Sequence, residues 1–280
     1  MAIRGVARRG LPDDQRQLLA AFGRFLRSMT EIIAPAGASV GNGPAAFLLY
    51  AMWLRQIQLG RALQELCIDG FAQEAQMLSR AIVGAALDVI LICERDADRR
   101  ALLYAVFQKR VRRERSKALV RQGHLSKEAA LELERREQEI DKAALAAHAQ
   151  AGTRPAARLG KVRTTWSGRS AANLARRFNR RGWYDLFYSP FSDTAHVNAA
   201  AIDKEVSAIV RGDVYLGGRF EEPWLVILAA SEAISGAAER LDHIHLLGIE
   251  NERKEIDLAM RHTLEDYVRS RKAPTPSERP

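Results

Sequence analysis

Apolar residues recur every three or four positions along most of the chain, a spacing typical of amphipathic α-helices. Runs that alternate at every second position, which would indicate strands, are scarce. A first helix is predicted over residues 12–34, where Pro12, Asp13 and Asp14 suit a first helical turn. Further helices are predicted over 45–69, 72–93, 96–122, 169–181, 222–247 and 251–271.

Residues 72–93 are apolar on nearly every side, so we expect this helix at the centre of a bundle. The helix over 96–122 carries the basic run QKRVRRERSK, and an acid-rich segment follows at 127–150. Gly123 suits the end of the first of these segments and Ser126 suits the start of the second. Together they predict an antiparallel hairpin whose basic arm faces its acidic arm.

We therefore predict an all-α protein, a bundle of about seven or eight helices with a projecting antiparallel helical hairpin. Residues 11–95 supply the first helices, residues 96–150 are the hairpin insertion, and residues 160–271 complete the same bundle. Residues 151–161 are predicted to be a linker and residues 272–280 a disordered tail.

Composition narrows the class of protein. The chain has 280 residues, of which 47% are apolar and 28% charged, as in ordinary globular proteins. The two cysteines, Cys67 and Cys93, lie within apolar helical patterns, which fits a reducing cytosol better than a disulfide framework. No apolar run follows the N-terminal arginines, and the stretch Ala81–Cys93 is too short to span a bilayer. We expect a cytoplasmic protein without a membrane partner, and a homodimer is left open.

The net charge of +9 is concentrated in one segment. Residues 151–184 contain nine basic residues and no Asp or Glu, so their charge equals the excess of the whole chain (43 − 34 = 9). A single-sign segment attracts phosphate groups, and we expect it to bind nucleic acid or another polyanion. A solvated helix face, or a surface that docks on an acidic partner, would also account for it. The arginines assigned to this polyanion site are Arg163, Arg169, Arg176, Arg177, Arg180 and Arg181.

A row of polar side chains runs through WYDLFYSPFSDTAHVN, residues 183–198. Its members, four residues apart, are Tyr184, Tyr188, Ser192 and His196. Pro190 interrupts the row, so we expect a helix break there, with Ser189 capping the next helix. No GxSxG elbow surrounds Ser192 and no side chain orients His196, which disfavours acyl transfer and favours a buried polar network.

Arg80 is the second unusual residue, because it is embedded in the most apolar helix. A buried guanidinium needs a partner, and Asp88 lies two turns further on, on roughly the same side. We expect Arg80, Asp88 and the polar row to meet, either in a structural network or in an anion or substrate pocket.

The apolar helix MLSRAIVGAALDVIL (77–91), the charged hairpin and the Tyr-x3-Tyr-x3-Ser-x3-His row together resemble the DUF5677 family, bacterial helical proteins of unknown function. The resemblance covers about residues 45–247 and implies a helical fold without implying a mechanism. Two departures are that the family pattern has an acidic residue near Gly84, for which Asp88 can stand in, and that Pro190 interrupts a smoother helix. The positions that match the pattern are Arg80, Tyr188, Ser192 and His196.

An enzymatic alternative rests on RLDHIH, in which Arg240 and His245 fit the Arg-x4-His pattern of HEPN-type metal-independent ribonucleases. About two such matches are expected by chance in a chain of this composition, so the pattern is weak. His243 and Glu239 have no second ligand set at metal-binding spacing, so no metal is predicted. Because P-loop, GxGxxG and CxxC motifs are absent, no cofactor is expected.

The sequence leaves three candidate functions open. The first is a polyanion-binding module, plausible in a bacterial accessory or defence role. The second is the ribonuclease, and the third is a structural module that binds a protein partner through the hairpin.

Overall fold

The chain folds as an all-α helical bundle in this computed structural model, which describes residues 11–37, 43–132, 134–135, 167–189 and 223–272. Four long helices come first: α1 (Asp13–Ile33), α2 (Pro44–Ile68), α3 (Ala72–Cys93) and α4 (Ala97–Arg121). A short helix α5 (Ala171–Arg177) precedes a π-helical segment, Trp183–Tyr188, called the π segment below. The last two helices are α6 (Pro223–His245) and α7 (Glu250–Lys272).

Helices α3 and α6 form the centre of the bundle. Helix α3 packs against α2, α4, α5, α6 and the π segment, as its all-round apolar pattern predicts. Helix α6 faces it with small side chains, among them Ala230, Ala233 and Ala237, all fully buried. Small residues allow two helix backbones to approach closely. Within α3, the stretch Glu74–Cys93 also has the length and hydropathy of a membrane span, and 50% of its residues are buried inside the bundle.

The end signals read from the sequence are confirmed at the hairpin. Gly123 has a φ of +74° and ends α4, and the hydroxyl of Ser126 accepts a hydrogen bond from the amide of Ala129 at 3.1 Å. Beyond Ala101, none of the described residues of α4 is fully buried, so this helix leaves the core. Ion pairs within the arms join Glu114 to Lys117 and Glu132 to Arg135.

The helix predicted over 169–181 is shorter than expected. Ser170 caps its start, since its hydroxyl accepts a hydrogen bond from the amide of Asn173 at 3.3 Å. The helix ends near Asn179, whose φ is +54°, a left-handed conformation that asparagine tolerates well. Gly182, which we expected to end it, has right-handed helical angles and leads into the π segment.

The boundaries of the predicted linker, of the second hairpin arm beyond residue 135 and of the C-terminal tail lie outside the described residues. The domain boundaries derived from the sequence therefore stay predictions.

The position of the Trp183 ring requires a glycine at position 236 of α6. A Cβ at Gly236 would lie 2.8 Å from Cη2 of Trp183, so the ring rests directly on the helix backbone. We expect Gly236→Ala to force the ring away and to lower the free energy of unfolding by about 1–3 kcal/mol. This cost should exceed what alanine gains in helix propensity, and the fall in the urea midpoint measures it.

Gly182→Ala is the matched control, because Gly182 precedes Trp183, has a φ of −56° and would place its Cβ in open space. We expect it to be neutral or to stabilise by about 0.4–1 kcal/mol. An equal loss in both variants would mean that the Trp183 contact is not responsible.

Candidate functional site

The π segment is anchored to the core by two aromatic side chains. Trp183 and Phe187 are 6% and 3% exposed and belong to the hydrophobic core. The segment contacts α3, α5 and α6. This anchoring fixes the positions of Tyr184 and Tyr188, which remain half-buried at the margin of the core.

A cation and two aromatic rings meet on the surface of α3. The guanidinium carbon of Arg80 lies 4.9 Å from the ring centroid of Tyr188. The rings of Tyr188 and Tyr184 are stacked, with centroids 5.6 Å apart and an interplanar angle of 21°. Gly84 faces the ring of Tyr188, since a Cβ there would lie 3.5 Å from Cε2 of Tyr188, an ordinary van der Waals distance. Arg80, Tyr184 and Tyr188 are called the aromatic–arginine cluster below.

Arg80 is half-buried rather than fully buried. Its Nε is shielded from solvent and makes no hydrogen bond among the described residues. The cation–π contact with Tyr188 is favourable, but it leaves the N–H donors of the guanidinium unused.

The expected pairing of Arg80 with Asp88 stays a prediction. Asp88 lies near Tyr104 of α4. Burial and then the Asp88 carboxylate raise the pKa of Tyr104 to about 12.

The polar row read from the sequence is therefore seen only in part. Tyr184 and Tyr188 stack as their spacing predicts, and Tyr188 contacts Arg80. Ser192 and His196, with the break expected at Pro190, lie outside the described residues. Whether those side chains join Arg80 stays a prediction.

The arginines of the predicted polyanion site have different surroundings, and Arg163 lies outside the described residues. Arg177 Nε donates to Oε1 of Glu94 at 2.9 Å, and Arg181 Nε donates to Asp185 at 2.9 Å. These two charges are offset by carboxylates.

The contacts of Arg176 and Arg180 are electrically neutral. Arg176 is exposed and bonds the neutral amide of Asn173 at 2.8 Å, while Arg180 is half-exposed, with its guanidinium carbon 5.1 Å from the centroid of Trp183. Neither has a carboxylate partner among the described residues. Arg169 is exposed just before α5.

Glu94 is a residue that the sequence did not indicate. It follows α3 and binds Arg100, with Nη1 3.0 Å from Oε2, as well as Arg177. Partial burial raises its pKa, but the hydrogen bonds and charges of Arg177 and Arg100 outweigh this, so its pKa lies below the usual value. No local pattern links Glu94 to Arg177, whereas the four-residue spacing of Arg181 and Asp185 could have been recognised.

Arg240 and His245 contact different neighbours. Arg240 lies near Cys93 at the end of α3, and His245 makes a hydrogen bond with the backbone of Ala46 at the start of α2. Nε2 of His245 is buried, and burial lowers the pKa of this histidine. This geometry fits a side chain that joins the end of α6 to α2.

The cysteines and the possible metal ligands of the described regions do not form a reactive site. Cys67 and Cys93 are free, and burial raises the pKa of each thiol to about 12, which disfavours the thiolate. Within the described ranges, no group of three or more His, Cys, Asp or Glu side chains is arranged to hold a metal ion.

These features define an all-α bundle whose core helix presents an arginine to a stacked pair of tyrosines. The chain belongs to the family of unknown function DUF5677, whose model matches residues 46–209. The resemblance noted from the sequence is thus confirmed. No curated protein and no solved structure matches the chain significantly.

The Glu94 ion pairs should make stability depend on pH. Because the pKa of Glu94 is lowered in the folded state, its contribution is fully present above the usual pKa of 4.5 and is lost as pH falls through the lower, folded value. We expect Glu94→Gln to lower the free energy of unfolding by about 1 kcal/mol at neutral pH. The difference from the unmodified protein should shrink below pH 4.5, as measured by urea unfolding across pH.

Glu114→Gln serves as the control, since Glu114 and Lys117 form an exposed pair on the hairpin. Its stability should match that of the unmodified protein at every pH. A pH-independent loss in Glu94→Gln would show that the carboxylate charge is not what matters.

Proposed function

We propose that this protein is a helical binding module for a polyanion, specifically nucleic acid, in a bacterial accessory or defence role. The observation that carries the proposal is that Arg176 and Arg180 have neutral contacts and no carboxylate partner among the described residues. Exposed Arg169 lies close to them in the chain, just before α5.

Phosphate groups are the ligands that best suit such arginines. Arginine binds phosphate through charge-assisted hydrogen bonds, and each contact releases counterions from the nucleic acid. The ion pairs of Arg177 and Arg181 support the same proposal, because they hold α5 and the π segment in place while leaving Arg176 and Arg180 available.

Protein binding by the hairpin is a second candidate. Val111, Leu119 and Leu131 are exposed apolar side chains on it, and both arms line a groove of about 530 Å³. Were this the principal function, Leu131→Glu would abolish binding of a co-purifying protein, and reversing the arginine charges would not.

Reversing the charges of Arg176 and Arg180 should weaken binding to nucleic acid. For an unstructured RNA of about 20 nucleotides, we expect the double variant Arg176→Glu/Arg180→Glu to lose at least about tenfold in affinity at roughly 50 mM salt. The slope of log K against log salt should fall by about 1.4, because each single-strand phosphate contact contributes about 0.7. Fluorescence anisotropy across salt concentrations measures both quantities.

Arg24→Glu/Arg27→Glu is the matched control, since both residues are exposed on α1 and the variant changes net charge equally. Helix α1 contacts α2, α6 and α7, and among the described helices it does not touch α5. The control should bind like the unmodified protein. Equal losses in both pairs, or no binding at low salt, would overturn the proposal, and RNA cleavage that His245→Ala abolishes would favour the ribonuclease.

A further inference from the structure

The aromatic–arginine cluster has features that the phosphate-binding arginines alone do not explain. Arg80 is a half-buried cation on the core helix, and its guanidinium contacts the neutral ring of Tyr188. Its Nε is buried and makes no hydrogen bond to any residue that the structure describes. Partial desolvation of a cation is costly, and a cation–π contact recovers only part of that cost.

The two tyrosines form a stacked aromatic pair at the margin of the core. Tyr184 and Tyr188 have ring centroids 5.6 Å apart, and each residue is half-buried. Each tyrosine follows directly on a buried aromatic residue, Trp183 or Phe187, which anchors the same π segment in the core. π-Helical turns are uncommon and occur frequently at functional sites.

This cluster adjoins the arginines proposed to bind phosphate. Arg180 packs over Trp183, the residue immediately before Tyr184, and α5 contacts the π segment. A cationic surface beside exposed aromatic rings is the combination by which proteins bind single-stranded nucleic acids, because bases stack on the rings while phosphates contact the cations. In a duplex the base faces are already stacked on one another and are not available to a side chain.

We propose that Arg80, Tyr184 and Tyr188 make the protein selective for single-stranded nucleic acid. An unpaired base stacks on the tyrosine pair, and the terminal nitrogens of Arg80 donate to the adjoining phosphate. This inference rests on the proposed function, since it names the class of nucleic acid that the same face of the bundle binds.

An abasic strand separates base stacking from phosphate binding. The probes are an unstructured RNA of about 20 nucleotides, its blunt duplex, and a strand of equal length that is abasic throughout, all measured by anisotropy at one salt concentration. The intact single strand should bind at least about tenfold more tightly than the duplex or the abasic strand. Equal affinity for intact and abasic strands would overturn the inference while leaving phosphate binding by Arg176 and Arg180 intact.

Substitutions at Tyr184 locate the stacking surface. Tyr184→Leu should reduce affinity for the intact strand by about tenfold and leave the abasic strand unaffected, whereas Tyr184→Phe, which keeps the ring, should bind like the unmodified protein. Arg176→Glu/Arg180→Glu should weaken binding of all three probes. If Tyr184→Leu does not fold, the abasic comparison on the unmodified protein decides, and failure of every probe to bind would overturn both proposals.

Discussion

The position of Trp183 on Gly236 is the contact on which the arrangement of the candidate site depends. The indole ring needs the space that a missing side chain leaves on α6, and it brings the π segment against the centre of the bundle. Trp183 and Phe187 are buried in the core. Tyr184 and Tyr188 therefore lie beside α3, where Arg80 contacts the ring of Tyr188. A shift of the indole ring would therefore displace the stacked tyrosines although neither tyrosine is itself substituted.

The arginines of the basic segment fall into two groups, according to whether a carboxylate contacts them. Glu94 and Asp185 hold Arg177 and Arg181, which attach α5 to the end of α3 and stabilise the start of the π segment. Arg176 and Arg180 have only neutral contacts in the described regions, an amide and an indole ring. The same cluster of like charges therefore contains two arginines that hold the fold together and two that are available to the proposed anionic ligand.

The aromatic–arginine cluster differs from those surface arginines in its exposure to water. Its guanidinium is partly withdrawn from water and touches an aromatic face, so its charge acts in a medium of lower dielectric constant. An anion that reached it would interact more strongly than at an exposed arginine, and the stacked rings beside it would favour a flat, π-rich group. Under the proposed function the two arginine environments are complementary, because one would give long-range attraction and the other short-range selectivity.

Hydrophobic periodicity and helix end signals were enough to predict the helices, because both are local properties of the chain. The ranges of α1 to α4, α6 and α7, the central place of α3 and the turn at Gly123 could all be predicted from neighbouring residues. The early end of α5 could not, because a left-handed Asn179 competes with the expected stop at Gly182. The packing of the helices established that Glu94 neutralises Arg177 across 83 positions, that Asp88 lies near Tyr104, and that the ring of Tyr188 contacts Arg80. Those pairings depend on how the helices pack, and packing brings together residues whose spacing along the chain carries no signal.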